Sequence, residues 1–438
     1  MNIFFYLILF FIFAAENCLG NEISIEFFKK FNDECLMEYI IEALENNHDL
    51  KQANHSVEQY RFEIKSQFSK EMPLLNAGSS YLGVHFPKSD MSDFLFVRPN
   101  AYILPFRVQY EPDFLLKNRD KTKSLKKLYL AKLANRKATY ISLLSDVASG
   151  YFNILLSDYL IEKQEEILNS KRNNLNLTDK KFKAGVVDSI ILNDYRKKYI
   201  NQVLMYENLI KNRKTMLYNF AVLLGKSPQC VEELKRGSIK NIEYTENIPE
   251  IINSDLIFNR PDLIEAENKL RSAKIDITIA KKEFFPSFNL NALYSMDSAT
   301  GGNFFSWNSA FGFLVAGLTQ DIFKGGYKIA NLKIKKEKYE ELLEKYFQTD
   351  LNALKEVNNA MNLIKQDTIS ENSSLKQLKL QNAIYKSSKK KLQRGTVSKM
   401  EYFDNKAALN TIEQSWASSK TARLVDYVTL YKALGGQL

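Results

Sequence analysis

The chain has 438 residues, a net charge of +10, 45% hydrophobic residues, and only 16 Gly and 9 Pro. That apolar content excludes a disordered chain, and 26% charged residues exclude a bundle of transmembrane helices. Few glycines and prolines favour long helices over an all-β fold, and the cations are spread along helical patterns, as on solvated helix faces, rather than gathered into a nucleic-acid stripe.

The first predicted element is a signal peptide over residues 1–20, "MNIFFYLILFFIFAAENCLG". Its apolar run, Ile3–Ala15, is 13 residues, too short to cross a bilayer as a helix. Cleavage is expected after Gly20. No Lys or Arg precedes the run, so retention as an anchor and lipidation at Cys18 stay open as alternatives. Cys35 and Cys230 follow; one possible pair is no disulfide framework, and both are expected as small buried groups. No later apolar run reaches 18 residues, so any membrane crossing is not helical.

A first structural repeat is predicted over 21–225. After a helical start, "PLLNAGSSYLGVHF" (Pro73–Phe86) and "RPNAYILPFRVQYEP" (Arg98–Pro112) read as strands. In the second, Tyr102, Leu104, Phe106, Val108 and Tyr110 alternate with Arg107, Gln109 and Glu111. Pro105 lacks the N–H that a strand paired on both sides needs, so a local bulge is expected there. Asp113–Lys183 then reads as one helix, weakened only at Gly150. At about 1.5 Å per residue it would extend on the order of 105 Å. "KKFKAGV" (Lys180–Val186) ends it on a glycine turn, and Ser189–Leu224 runs back, led by a serine able to cap.

A linker over 226–258 leads to a second repeat over 259–438. "FPSFNLNALYSMD" (Phe285–Asp297) alternates, with Phe288, Leu290, Ala292, Tyr294 and Met296 on one face. "SAFGFLVAGLTQDIF" (Ser309–Phe323) sets Phe311, Phe313 and Val315 on a common face. A long helix, Tyr327–Lys391, carries Leu343, Phe347, Leu351, Leu354, Met361 and Ile364 at coiled-coil spacing. "KKLQRGT" (Lys390–Thr396) ends it, and Ser398–Leu434 returns.

Gly185 and Gly395 stand 210 residues apart, and "LLGK" (Leu223–Lys226) and "ALGG" (Ala433–Gly436) keep that offset. So do Asp194 with Asp404 and Arg213 with Arg423. A constant spacing between weakly similar stretches marks two copies of one unit. The aromatic, alternating strands resemble membrane strands, but four of them cannot close a barrel, which starts at about eight. An open sheet edge is not tolerated in lipid. Membrane strands would therefore require several chains, and three would supply about twelve strands. The soluble alternative is a pair of hairpins packed on helices.

The chain resembles the TolC-like outer-membrane factor family, the exit ducts of tripartite efflux and type I secretion systems, over nearly all of its mature length. "NRPDLIEAENKLRSAKIDITIAKKEFFPSFNL" (Asn259–Leu290) is similar to the family's "RPDL" helix and "FFPSL"-type strand. "LTQDIFKGGYKIANL" (Leu318–Leu332) is similar to its strand-end segment with paired glycines, and "LQRGTVSKMEYFDNKAAL" to the turn before its last helix. "VQYEPDFLLKNRDK" (Val108–Lys121) resembles a "WELDLWGR"-like segment typical of members that serve RND pumps, with Leu115 and Leu116 where that segment has its "WG".

The resemblance implies a mainly α fold with a membrane β-barrel: a homotrimer with a twelve-stranded barrel in the outer membrane of a Gram-negative bacterium and an α-helical tunnel in the periplasm. It implies a periplasmic adaptor (membrane fusion protein) and an inner-membrane pump, RND type over ABC type, as partners, with outer-membrane lipid around the strands and no nucleic acid. The glycine turns would be the tip that meets the adaptor, at Ala184, Gly185, Val186, Arg394, Gly395 and Thr396. Glu401 and Asp404, three apart on one helical face, match acids that line the family's periplasmic constriction, and Asp194, the repeat mate of Asp404, is placed in that ring with them. The same acids would also stabilise helix N-termini. Ile191, Leu392 and Val397 depart from the pattern of the family's polar latch, which is then absent or rebuilt around Arg394.

No catalytic constellation is visible. His48, His55 and His85 are scattered without carboxylate or cysteine partners at ligand spacing, and neither a phosphate-binding glycine loop nor GxSxG occurs. The reading is a non-enzymatic duct without cofactor or metal. The alternative is a periplasmic coiled-coil adaptor or structural protein, which would need no lipid-facing strands.

Overall fold

The computed structural model describes residues 22–83, 100–229, 234–244, 257–298 and 306–437. The signal segment, Cys18, His85 and Cys230 lie outside them. The elements in chain order are α1 (Glu22–Lys29), α2 (Glu34–Asn46), α3 (His48–Phe68), β1 (Leu74–Ala77), β2 (Ser80–Gly83), β3 (Asn100–Tyr110), α4 (Lys117–Lys183) and α5 (Ser189–Leu223). The second half continues with α6 (Pro261–Lys282), β4 (Ser287–Ser298), β5 (Ala310–Thr319), α7 (Tyr327–Gln393) and α8 (Lys399–Ala433). The two long helices both have 67 residues and the two return helices both have 35, so the duplication reaches the element lengths.

The chain divides into two compact units that cut across the halves. One holds Met1–Asn54, Asn135–Ile264 and Thr349–Leu438; the other holds His55–Ala134 and Glu265–Gln348.

The second unit carries the sheet, in the order β1–β3–β4–β5, antiparallel throughout, with β2 also on β3. The pairs Ala77↔Phe106 and Ser80↔Ile103 keep one register, so β1 and β2 are pieces of a single strand. No bulge forms at Pro105. Gly78 N–H donates to the Pro105 carbonyl at 3.0 Å, and Pro105 has no N–H to return. The proline therefore costs one ladder bond and opens a gap between β1 and β2, while its pairing with Ser295 of β4 is uninterrupted.

Because directly paired residues share a face, the register collects one apolar side. Leu104, Phe106 and Val108 lie against Met296, Tyr294 and Ala292, which lie against Ala310, Gly312 and Leu314. Phe311, Phe313 and Val315 fall on the other side, opposite Ser295, Leu293 and Asn291. β1 and β2 are exposed throughout, and β5 is exposed except at Ala310 and Gly317, which are half-buried.

Asp113 caps α4 by accepting from the N–H groups of Lys117 and Arg119, at 2.6 and 2.9 Å. Leu116, just before α4, holds φ at +57°, where glycine is at ease and leucine is strained.

The first unit is built on α4 and α8. Its densest part is aromatic: Phe27 stacks on Tyr431 at 4.5 Å, and Phe31 packs against Phe152 and Tyr244. Arg260, buried, donates to the Ala433 carbonyl at the end of α8 and pairs with Asp262 and Glu356. That accounts for the Arg-Pro-Asp run: Pro261 opens α6 where no N–H is missed, while Arg260 satisfies a helix-end carbonyl. The linker is packed where it is described. Ile239, Ile242 and Tyr244 are buried, and Lys420 donates to the Lys240 carbonyl.

Candidate functional site

Each long helix ends in the same hydrogen-bonded turn. Val186 N–H reaches the Lys181 carbonyl at 2.9 Å and Gly185 N–H reaches that of Phe182; 210 residues on, Thr396 reaches Lys391 at 3.0 Å and Gly395 reaches Leu392. This is a Schellman closure, and it requires a left-handed residue after the helix. Gly185 at φ +72° and Gly395 at +73° supply it. Among the described residues no other atom lies within 4 Å of where a Cβ would sit on either glycine, so backbone conformation rather than crowding calls for glycine.

The return helices are capped at matching positions. Asp188 accepts from Ile191 N–H at 2.8 Å and Ser398 from Glu401 N–H at 3.1 Å. The first cap is therefore Asp188 and not Ser189, which is already helical. Ala184, Gly185, Val186, Arg394, Gly395 and Thr396 are all exposed.

The helices stand in the order α5, α4, α8, α7. Gln164 of α4 bonds Gln202 of α5 at 2.8 Å, and Arg213 of α5 pairs with Asp158 of α4. On its other side α4 meets α8: Lys163 with Glu413, Glu166 with Lys406, and Lys171 with Asp404 at 2.8 Å. Beyond α8, Tyr385 of α7 meets Tyr402 hydroxyl to hydroxyl at 3.2 Å. The seam between α4 and α8 is thus a ladder of opposite charges. Lys163 is buried within it; burial works against its charge, but Glu162, Glu413 and Glu166 outweigh burial and raise its pKa.

The three predicted acids differ in setting. Asp404 is engaged inside the chain, by Lys171 and by Asn174 Nδ2 at 3.0 Å, while Asn174 also donates to the Met400 carbonyl. Asp194 pairs with Lys198 one turn on, at 2.7 Å, and that pair, followed by the opposing effect of burial and the charge of Asp194, leaves the Lys198 pKa raised. Glu401 is exposed in the first turn of α8. Lys171 and Asn174 were not singled out by sequence, since 233 and 230 residues separate them from Asp404. Among the described residues no three His, Cys, Asp or Glu gather as a metal site would need.

A duplicated pair of long helical hairpins and an antiparallel sheet with one apolar face and, among the described residues, two open edges are the features expected of an outer-membrane channel protein. The chain belongs to the outer membrane efflux protein family, whose model matches residues 39–225 and 253–436. It is 26% identical to the cation efflux system protein CusC of Escherichia coli O157:H7, over 93% of this chain and 87% of that one. The probable efflux pump outer membrane protein TtgC of Pseudomonas putida is 25% identical, over 93% and 84%. The CmeC outer membrane channel of Campylobacter jejuni has the same fold, with a TM-score of 0.85 at 22% identity over 94% of this chain and 88% of that one. The protein is accordingly an outer-membrane efflux channel of TolC-like fold, in a Gram-negative envelope.

Proposed function

We propose that the chain is the outer-membrane exit duct of an RND-type tripartite efflux system, working as a homotrimer with a periplasmic adaptor and an inner-membrane pump. The observation that carries this is the sheet. Its apolar face runs unbroken through β3, β4 and β5, and among the described residues β1/β2 and β5 are left as open edges. Lipid does not tolerate unpaired backbone groups. Three copies joined edge to edge give about twelve strands and no edge.

Within that duct, Ala184–Val186 and Arg394–Thr396 form the tip that meets the adaptor. Asp404, Asp194 and Glu401 lie behind it, toward the constriction. The Lys171–Asp404 bridge ties the hairpin of one repeat to the hairpin of the other and holds the periplasmic end closed. Cargo passes without chemistry by this chain, and the pump supplies the energy.

Conductance across planar bilayers tests the duct and its closure together. The wild-type protein is expected to conduct weakly, and Lys171→Ala and Asp404→Ala several-fold more, since each frees α8 from α4. Equal conductance in all three would overturn the tie as a gate. No conductance in any of them would overturn the duct.

A further inference from the structure

Charge is unevenly balanced along this chain. Residues 171–190 hold five cations and two acids, and residues 376–404 hold eight cations and two acids. These two stretches around the glycine turns therefore carry nine of the ten net positive charges of the whole chain. Elsewhere cations and acids cancel almost one for one.

Local structure explains part of this surplus. Lysines in the last turn of a helix face its negative end, which covers Lys180, Lys390 and Lys391. It does not cover Lys399, the first residue of α8, which stands at a positive helix end. Two cations elsewhere at such ends do have an acid at hand: Lys117 has Glu111 and Lys328 has Asp321. Among the described residues Lys180, Lys389, Lys390, Lys391, Arg394 and Lys399 are exposed and face no carboxylate within 4.0 Å. Lys171 and Lys183 are the cations neutralised there, by Asp404 and Asp179. Both turns belong to one site, since Lys181 reaches Met400 across them.

We infer that the turns form a basic docking ring for an acidic surface on the periplasmic adaptor, so that the contact is steered and held by charge. This rests on the tip-docking reading above. Repetition in a trimer would set like charges side by side, a repulsion that an acidic partner relieves.

The test is binding of the detergent-solubilised trimer to the purified adaptor of the same organism's RND-type pump. It compares about 50 mM with about 300 mM NaCl, where screening of exposed charges differs strongly. The wild type is expected to lose roughly tenfold in affinity at the higher salt, and Arg394→Glu with Lys399→Glu to lose at least about tenfold at the lower. Lys399→Glu suits the helix end, so a purely structural role predicts unchanged binding and a fold at least as stable. Tight binding insensitive to both salt and substitution leaves the docking reading standing and overturns the basic ring. No wild-type binding at either salt overturns the docking reading itself. Salt-sensitive binding to isolated peptidoglycan instead of the adaptor overturns the assignment of the partner.

Discussion

Asp426 is the residue whose chemistry is least suited to its place. It lies on α8, 7% exposed, beside Asp367 of α7. Burial, a hydrogen bond to Asp367 and the charge of Asp367 push its carboxyl up to about 7. In the unfolded chain it titrates near the ordinary carboxylate value of about 3.9. Between those values the folded protein keeps a proton that the unfolded chain has released. Stability therefore falls as pH rises through that window, and the loss is complete above about pH 7. Asp426→Asn keeps the shape and removes the titration. Unfolding midpoints of the two proteins are expected to lie close together near pH 5 and to separate near pH 8, with the variant ahead by about 1–3 kcal/mol. Equal separation at both pH values would refute a shared proton. Arg423 and Lys420 stand on the same helix; Arg423 is already paired with Glu371, and Lys420 bonds the Lys240 carbonyl. Nothing in the sequence marks Asp426, because the burial that matters comes from a neighbouring helix.

At the scale of elements, the caps are the sharpest consequence of the duplication. Asp188→Ala and Ser398→Ala each remove the side-chain acceptor of one first-turn N–H, at a cost of about 1 kcal/mol. Amide exchange at Ile191 and Glu401 respectively is expected to quicken about fivefold, with the middle of α4 and α7 unchanged. Quickening throughout both hairpins would mean that the caps support more than their own turns. These elements were legible because their signals are local. Glycine after a lysine-rich helix end, and an oxygen-bearing residue three or four positions later, fix the turn wherever it occurs. The sequence pointed to Ser189 because two candidate caps are adjacent, and only the backbone shows that the helix has begun there. Pro105 was legible as a fault but not as to its kind, since a bulge or a gap depends on which neighbour its nitrogen faces. Leu116 shows the limit of motif matching. The chain keeps a left-handed residue where the related segment has glycine, and the strain is visible only as φ. The Lys171–Asp404 bridge was not legible at all, being a contact between helices far apart in sequence.

At the scale of the whole molecule, α5 and α7 are the outer two of the four helices that run in the order α5, α4, α8, α7. Residues of α5 that face α4 are polar or buried, whereas Ile200 and Leu204 stand about half exposed, at 55% and 57%. On the far edge, α7 turns Gln381 and Tyr385 toward α8 and leaves Leu380 and Ile384 out, at 68% and 49%. Both exposed pairs are four apart, the spacing of an apolar stripe on a helix. A polar solvent gives such stripes no reason to be there, and a second copy of the chain does, because the α7 edge of one protomer can pack on the α5 edge of the next. The sheet makes the same demand through its outer strands, so one rotation would have to satisfy both. Leu380→Glu with Ile384→Glu puts two charges into that joint while leaving the contacts of α7 with α8 intact. The doubly substituted protein is expected to keep its helix content by circular dichroism and to run in detergent as separate protomers by light scattering. A trimer of undiminished thermal stability would mean that the α7 edge faces something other than another copy, and the closure of the sheet would then need a different arrangement.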